Sequence, residues 1–292
     1  LVALHEATLG KPFSDIVLDE YQSITSLQAQ SLYLTVCILH RFGIPTRAGL
    51  ISRVHKIPFS KFREQLFEPL EYVVFAIMNE YLHDYIYLSR HPHIAEIVFE
   101  RVLKEPKEKF DEYIRILTSI DIDYTSDRKA FRKLTNAKHL FDIFRDIKII
   151  RSVYLAARNR IREDSTLLQQ EAIAEMTYPD GDLNIATERL QKAYKIAPKN
   201  KAIIHSLSEL ALKKAEKSLS PLEKKKFRAQ SKQLVTKLLS DFDITPHSFH
   251  TLIKIGIDEL KELLEQGDDA TIERKIRDLE KVFNRAYQSF PD

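Results

Sequence analysis

Glycine is scarce in this chain: six in 292 residues, at positions 10, 43, 49, 181, 256 and 267. A Walker A loop needs two glycines five apart followed by Lys, because bare backbone N–H groups must wrap a phosphate. The closest pair, Gly43 and Gly49, is six apart and leads into Leu50. A dinucleotide-binding GxGxxG is equally missing, so no phosphate-cradling loop is written here. The single cysteine, Cys37, excludes a disulfide scaffold and a thiolate zinc site. It suits a reducing compartment, and the expected location is cytoplasmic. No apolar run approaches the ~18 residues of a membrane span. The longest candidate, Leu32 to Leu39, already contains Thr35. No signal peptide or initiator Met opens the chain, and Leu1, Leu4 and Leu9 fall in an apolar-periodic segment. The expectation is an excised piece of something longer. Charge of one sign is also lacking. Residues 1–122 carry 13 Lys/Arg against 16 Asp/Glu, and the remainder 32 against 26. Neither balance is a nucleic-acid footprint, which normally lifts a domain's pI above ~9.

What is present is an ample core, with 44% apolar and 30% charged residues. The length suggests two domains of roughly 150 residues, or one domain plus a repeat array. Ser14 starts a short helix to Tyr21. Ser26 is placed to cap an apolar helix from Leu27 to Phe42, closed by Gly43 with Pro45 just beyond. Thr46 is the expected cap of a helix to His55, and Ser60 of a third helix to about Tyr72. The apolar period then changes from 3.6 to 2. Val73–Met78 and Asp84–Leu88, joined by an Asn79–Glu80 bend, are expected to form a β-hairpin. Pro92 suits the first position of a helix carrying Ile94, Ile97, Val98 and Val102 on one face. From Pro106 onward only helices are expected. The element order of residues 26–105 is that of a winged helix-turn-helix.

The last 130 residues contain spacings of a helical repeat. A tetratricopeptide unit ends its second helix with small-x3-bulky-x2-Ala-x4-Pro, because a small residue lets paired helices approach and Pro stops them. Ala186, Leu190, Ala193 and Pro198 match; Leu279, Phe283, Ala286 and Pro291 match with Leu in the small position. Leu234, Leu238, Asp241 and Pro246 fit in part. The fold expected is thus mainly α: a winged helix with one hairpin, then tetratricopeptide-like α-hairpins. Their first helices, such as Lys201–Lys217 and Ser248–Glu265, are expected to line a groove.

Side chains that could carry chemistry are few. HExxH is missing. His91-Pro-His93 and His247-x-x-His250 are the only close histidine pairs, and neither assembles four metal ligands. No metal site is therefore expected, and structural or surface roles suit these histidines better. Cys37 sits among Tyr33, Val36 and Leu39, where a thiol is a small inert hydrophobe. No carboxylate pair has divergent surroundings. Enzymatic function is not expected of this segment. The helix at 60–72 offers Lys61, Arg63 and Gln65 to DNA, but Glu64, Glu68 and Glu71 beside them repel phosphate. The basic run Lys224–Arg228 follows Pro221 and reads as a solvated helix face.

Residues 1–102 resemble a recurring region of bacterial STAND-type NTPases, signal-transducing ATPases related to NLR-like receptors. The phrases that carry the resemblance are LVALHEATLGKPFSDIVLDEY, LYLTVCILHRFGIPTRAGLISRV, FSKFREQLFEPLEYVV and YLSRHPHIAEIVFERVL. The stretch LLQQEAIAEMTYPDGDLNIATERLQKAYKIAP looks like the start of such a protein's repeat array. The resemblance implies a helical linker over 1–25, a winged helix over 26–105, a connecting helical bundle over 106–165 and repeats over 166–292. It implies an upstream nucleotide-binding domain, with ATP or ADP bound only there. It also singles out His91, with Arg90, at the place of a Met-His-Asp type motif whose His touches the phosphate of bound ADP; Arg90 and Pro92 replace the Met and the Asp. The implied function is regulation and sensing in bacterial antiphage defence. The repeats would bind a protein trigger or the chain's own upstream domain, and the sequence leaves open whether the full protein oligomerises. Nucleic acid and membrane are not expected partners. The alternative is a transcriptional regulator whose winged helix binds DNA and whose repeats receive a peptide.

Overall fold

The computed structural model describes residues 10–80, 84–161, 163–241, 246–266 and 269–290. Leu1, Leu4, Leu9 and Pro291 lie outside them. The chain divides into two compact units, residues 1–162 and 163–292. Among the described residues no helix is long and apolar enough to cross a membrane.

The first unit is mainly helical with one small antiparallel sheet. Helix α1 (Phe13–Ser23) precedes α2 (Leu27–His40), whose Ser26 cap accepts from Ala29 N–H at 3.3 Å. Leu32, Val36, Ile38 and Leu39 of α2 are all fully buried, so this helix is apolar on every side because it is packed on every side. Gly43, at φ +71°, lets the chain reverse after it. Strand β1 (Thr46–Arg47) follows directly, then α3 (Ala48–His55), ended by Lys56 in the left-handed region. Thr46 is therefore not a helix cap. Its backbone pairs with β3, opposite Tyr87, and its buried hydroxyl has no hydrogen-bond partner among the described residues. The cap position falls to Arg47, which makes no side-chain capping bond.

The expected third helix is broken into a 3₁₀ turn (Phe59–Lys61), a π turn (Arg63–Phe67) and a short α turn (Glu68–Leu70). Pro69 accounts for this. It has no N–H to offer the Gln65 carbonyl, and its ring crowds that carbonyl, so the ladder widens and Glu68 N–H bonds Arg63 O instead. Strands β2 (Val74–Asn79) and β3 (Asp84–Ser89) form the hairpin, in register from Val74↔Ser89 to Asn79↔Asp84. The sheet order is β1-β3-β2. Helix α4 (Pro92–Val102) packs on α1 and α2. Helices α5 (Pro106–Ser119), α6 (Thr125–Leu134), α7 (Ala137–Phe144) and α8 (Ile147–Arg160) complete the unit.

A buried ionic bracket ties the sheet to the later helices. Arg47, 5% exposed, reaches Asp127 of α6 at 3.4 Å and Asp84 of β3 at 3.0 Å, and lies 3.4 Å over the Tyr124 ring. Asp127, 1% exposed, also accepts from Arg53 at 2.6 Å and from Asp121 N–H at 3.1 Å.

The second unit is all helix among its described residues. Its helices are α9 (Ser165–Thr177), α10 (Leu183–Ile196), α11 (Lys201–Lys217), α12 (Pro221–Asp241), α13 (Pro246–Gln266) and α14 (Asp269–Ser289). They pair in sequence order, α9 with α10, α11 with α12 and α13 with α14. Asp164, Asp182 and Asn200 cap their helices through side-chain oxygens. Ala186, Leu190 and Ala193 are fully buried against Leu168, Ala172 and Ile203, where their small volume admits the neighbouring helices. In α12 the buried stripe is Ser231, Val235 and Leu238, one turn before the expected Leu234–Leu238–Asp241. In α14 Leu279 is buried, but Phe283 is half exposed. Of the three motifs only the first buries its small, bulky and Ala positions together, while its Pro198 is exposed.

Candidate functional site

Two places gather side chains suited to binding. The first is the N-terminus of α4, built by the end of β3. Helix α4 starts at Pro92, which needs no N–H there, and His91 caps it by accepting His93 N–H on Nδ1 at 3.1 Å. His91 is exposed, and among the described residues Nε2 makes no hydrogen bond. Arg90, beside it, pairs with Glu20 of α1. Burial raises the Glu20 carboxyl's proton affinity against the pull of Arg90. Such a partly exposed pair is worth ~0–1 kcal/mol, so Arg90 can be drawn away by an anion. His93 stacks on Phe13 at 6.5 Å.

Beneath His91 lies a contact that sequence reasoning did not find. His40, at the end of α2, donates from Nδ1 to Ser89 Oγ at 2.7 Å, and Ser89 Oγ donates to the His91 carbonyl at 3.2 Å. That tautomer follows from the serine's single proton, which is spent on the carbonyl. His40 and Ser89 are both buried. Burial, then the nearby His91, lowers the His40 pKa and favours the neutral ring. The signal was present only as a histidine at the end of an apolar helix, with a partner 49 residues away.

The second place is a groove in the repeat unit. A cavity of about 470 Å³ is lined by Gln169 and Ile173 of α9, by Lys201, His205 and Glu209 of α11, and by Leu238, His247 and Ser248. A second, of about 170 Å³, continues it along Met176, Lys213, His250 and Lys254. The groove thus runs along α11, with α9 and α13 as its walls. His205 and His247 meet edge to face at 5.7 Å, and His205 Nε2 is buried with no hydrogen-bond partner among the described residues. Gln169 donates to Ser206 at 3.0 Å in the groove's floor. His247 and His250, expected in structural or surface roles, are exposed and line this concavity. Among the described residues no group of three or more His, Cys, Asp or Glu is placed to hold a metal.

Cys37 is fully buried, and burial pushes its thiol pKa up. Arg228 of the basic run is not simply solvated, since it bonds Glu262 of α13 at 2.6 Å. Comparison with family models, with curated proteins and with solved structures finds no match to this chain.

Proposed function

We propose that this chain is the regulatory and sensing segment of a STAND-like NTPase. In this reading residues 26–105 are a winged helix that holds an upstream nucleotide-binding domain in its closed state. Residues 166–292 are tetratricopeptide-like repeats that receive a protein trigger. The segment is cytoplasmic, has no catalytic role of its own, and works in antiphage defence. ATP or ADP binds upstream.

The observation that carries the reading is the state of His91. Its Nδ1 is committed to the helix cap, its side chain is exposed, and Nε2 has no hydrogen bond among the described residues. A donor at a helix N-terminus, with Arg90 adjacent, suits a phosphate supplied by another domain. Supporting it, β1 adds to the hairpin beside β3, a small three-stranded antiparallel sheet of the kind this reading calls for. The hairpin also exposes Phe75 and Ile77 on one face and Met78 with its cross-strand partner Tyr85 on the other, each about half exposed, apolar side chains suited to a docked domain. The groove supports the trigger half of the reading, as stacked helical hairpins bind along such faces.

The DNA-binding alternative is not adopted, because the turn at 59–70 exposes Glu64 and Glu68 beside Arg63. The test is paired. The purified chain is expected to turn over no ATP and to bind random duplex negligibly at low salt. ATP hydrolysis by the chain alone would end the regulatory reading. Tight, steeply salt-dependent duplex binding would favour the transcriptional one.

A further inference from the structure

The repeat groove has a charge pattern as well as a shape. Its lining holds Lys201, Lys213 and Lys254 and the histidines His205, His247 and His250, against one carboxylate, Glu209. Glu209 lies 3.6 Å from His205 Nδ1, so the acid faces the imidazole on its own helix. The apolar part of the lining is Ile173, Met176, Leu212 and Leu238. Along α11 the lining spans Lys201 to Lys213, which at 1.5 Å per residue is about 18 Å. An extended peptide rises about 3.3 Å per residue, so the groove takes five or six residues. In an extended segment alternate side chains face opposite ways. Apolar ones can then meet the apolar lining while the others reach the lysines and histidines.

Resting on the reading of the repeats as the trigger-binding part, we infer that the groove takes an extended acidic segment of a partner protein. That segment is about six residues long, with carboxylates alternating with aliphatic side chains. Its carboxylates lie against Lys201, Lys213 and the histidine wall. His205 Nε2, buried and without a hydrogen bond among the described residues, gains an acceptor when the segment enters. Lys254 is shared with Glu216, which it bonds at 2.8 Å, and contributes less.

The test uses the 292-residue chain and an N-acetylated, C-amidated hexapeptide of alternating Glu and Leu, extended by one terminal Trp. The chain itself has no tryptophan, so the peptide's fluorescence reports binding without an added charge. A Gln-for-Glu peptide and a Lys-for-Glu peptide of the same length are the comparisons. The Glu peptide is expected to bind at least tenfold tighter than the Gln peptide, and the Lys peptide not at all. Lys201→Glu with Lys213→Glu is expected to weaken the Glu peptide tenfold or more. The matched reversal Lys225→Glu with Lys232→Glu, on α12 and equal in net charge, is expected to leave it within twofold. Circular dichroism confirms that both variants fold. Equal weakening by the two pairs means general attraction to a basic surface and overturns the inference. Binding by the Gln peptide alone, or equally by both, overturns the acidic assignment while keeping the trigger reading. Binding by none of the peptides, nor by a random hexapeptide pool, overturns both.

Discussion

Replacing Asp127 with Asn is the most informative stability experiment on the first unit. The side chain keeps its shape and loses its charge. Asp127 is 1% exposed and serves Arg53 at 2.6 Å, Arg47 at 3.4 Å and Asp121 N–H at 3.1 Å. Removing one partner of a buried ion pair typically costs ~3–5 kcal/mol, because the opposite charge stays behind without compensation. Two features lower that figure here. Arg47 keeps Asp84 at 3.0 Å and the Tyr124 ring, and Arg53, one-third exposed, keeps the Ser119 carbonyl at 2.7 Å. One Arg47 Nη atom already lacks a hydrogen-bond partner among the described residues, which pushes the other way. The expected loss is about 3 kcal/mol, at the low end of the range. For a unit of this size that lowers the melting temperature by about 6–12 °C. Calorimetry resolves the unit's transition, and urea titration gives the free energy directly. A double substitution, Asp127→Asn with Arg53→Met, is expected to lose less than the sum of the two single losses. A loss under ~1 kcal/mol for Asp127→Asn would show that water reaches the bracket and would refute the reasoning.

Stability should also depend on pH through His55. Its ring accepts from Arg115 on Nδ1 at 3.3 Å and donates from Nε2 to Thr35 at 2.9 Å, and burial, then Arg115, lowers its pKa to about 3. The unfolded chain binds this proton near pH 6.5, so stability is full above that value and falls as pH drops toward 3. The slope is at most about 1.4 kcal/mol per unit. His40, shifted the same way, adds to it. Urea midpoints at pH 7 and pH 5 check this: His55→Gln should flatten the difference, and an unchanged slope would clear His55. Ala193→Trp should overpack the fully buried contact beside Leu190 and cost ~1–3 kcal/mol, read as a lower melting temperature of the second unit. Cys37 should react with a thiol reagent in native buffer only at the rate of unfolding, and reaction within seconds would mean the α2 core opens locally.

Much of the architecture was legible because each feature had a local cause. The change of apolar period placed the hairpin, and the Ser26 and Pro92 signals set their helices to within a residue or two. What escaped depended on partners distant in sequence. Thr46 looks like a cap, yet β3, 41 residues on, claims its backbone for a ladder. Pro69 was visible, but its consequence, a π turn in place of a helix, depends on where the ladder yields. The bracket of Arg47, Arg53 and Asp127 spans 80 residues, and no spacing rule reaches that far. Of the candidate sites, His91 and Arg90 stand side by side at the start of α4, which is where the hairpin-then-proline pattern put them. The groove along Lys201–Lys217 also followed from the helical pairing. Its histidine wall did not, because His205 and His247 meet only when α11 and α13 pack.

The central claim is that His91 reads nucleotide state for another domain. The measurement that tests it is ATP turnover by the protein carrying the proposed upstream nucleotide domain, with and without His91→Ala, in the absence of trigger. The account predicts that the substitution raises trigger-independent turnover several-fold while the 292-residue chain bearing it melts within a few degrees of the parent. Turnover unchanged by His91→Ala, with the chain equally stable, would contradict it.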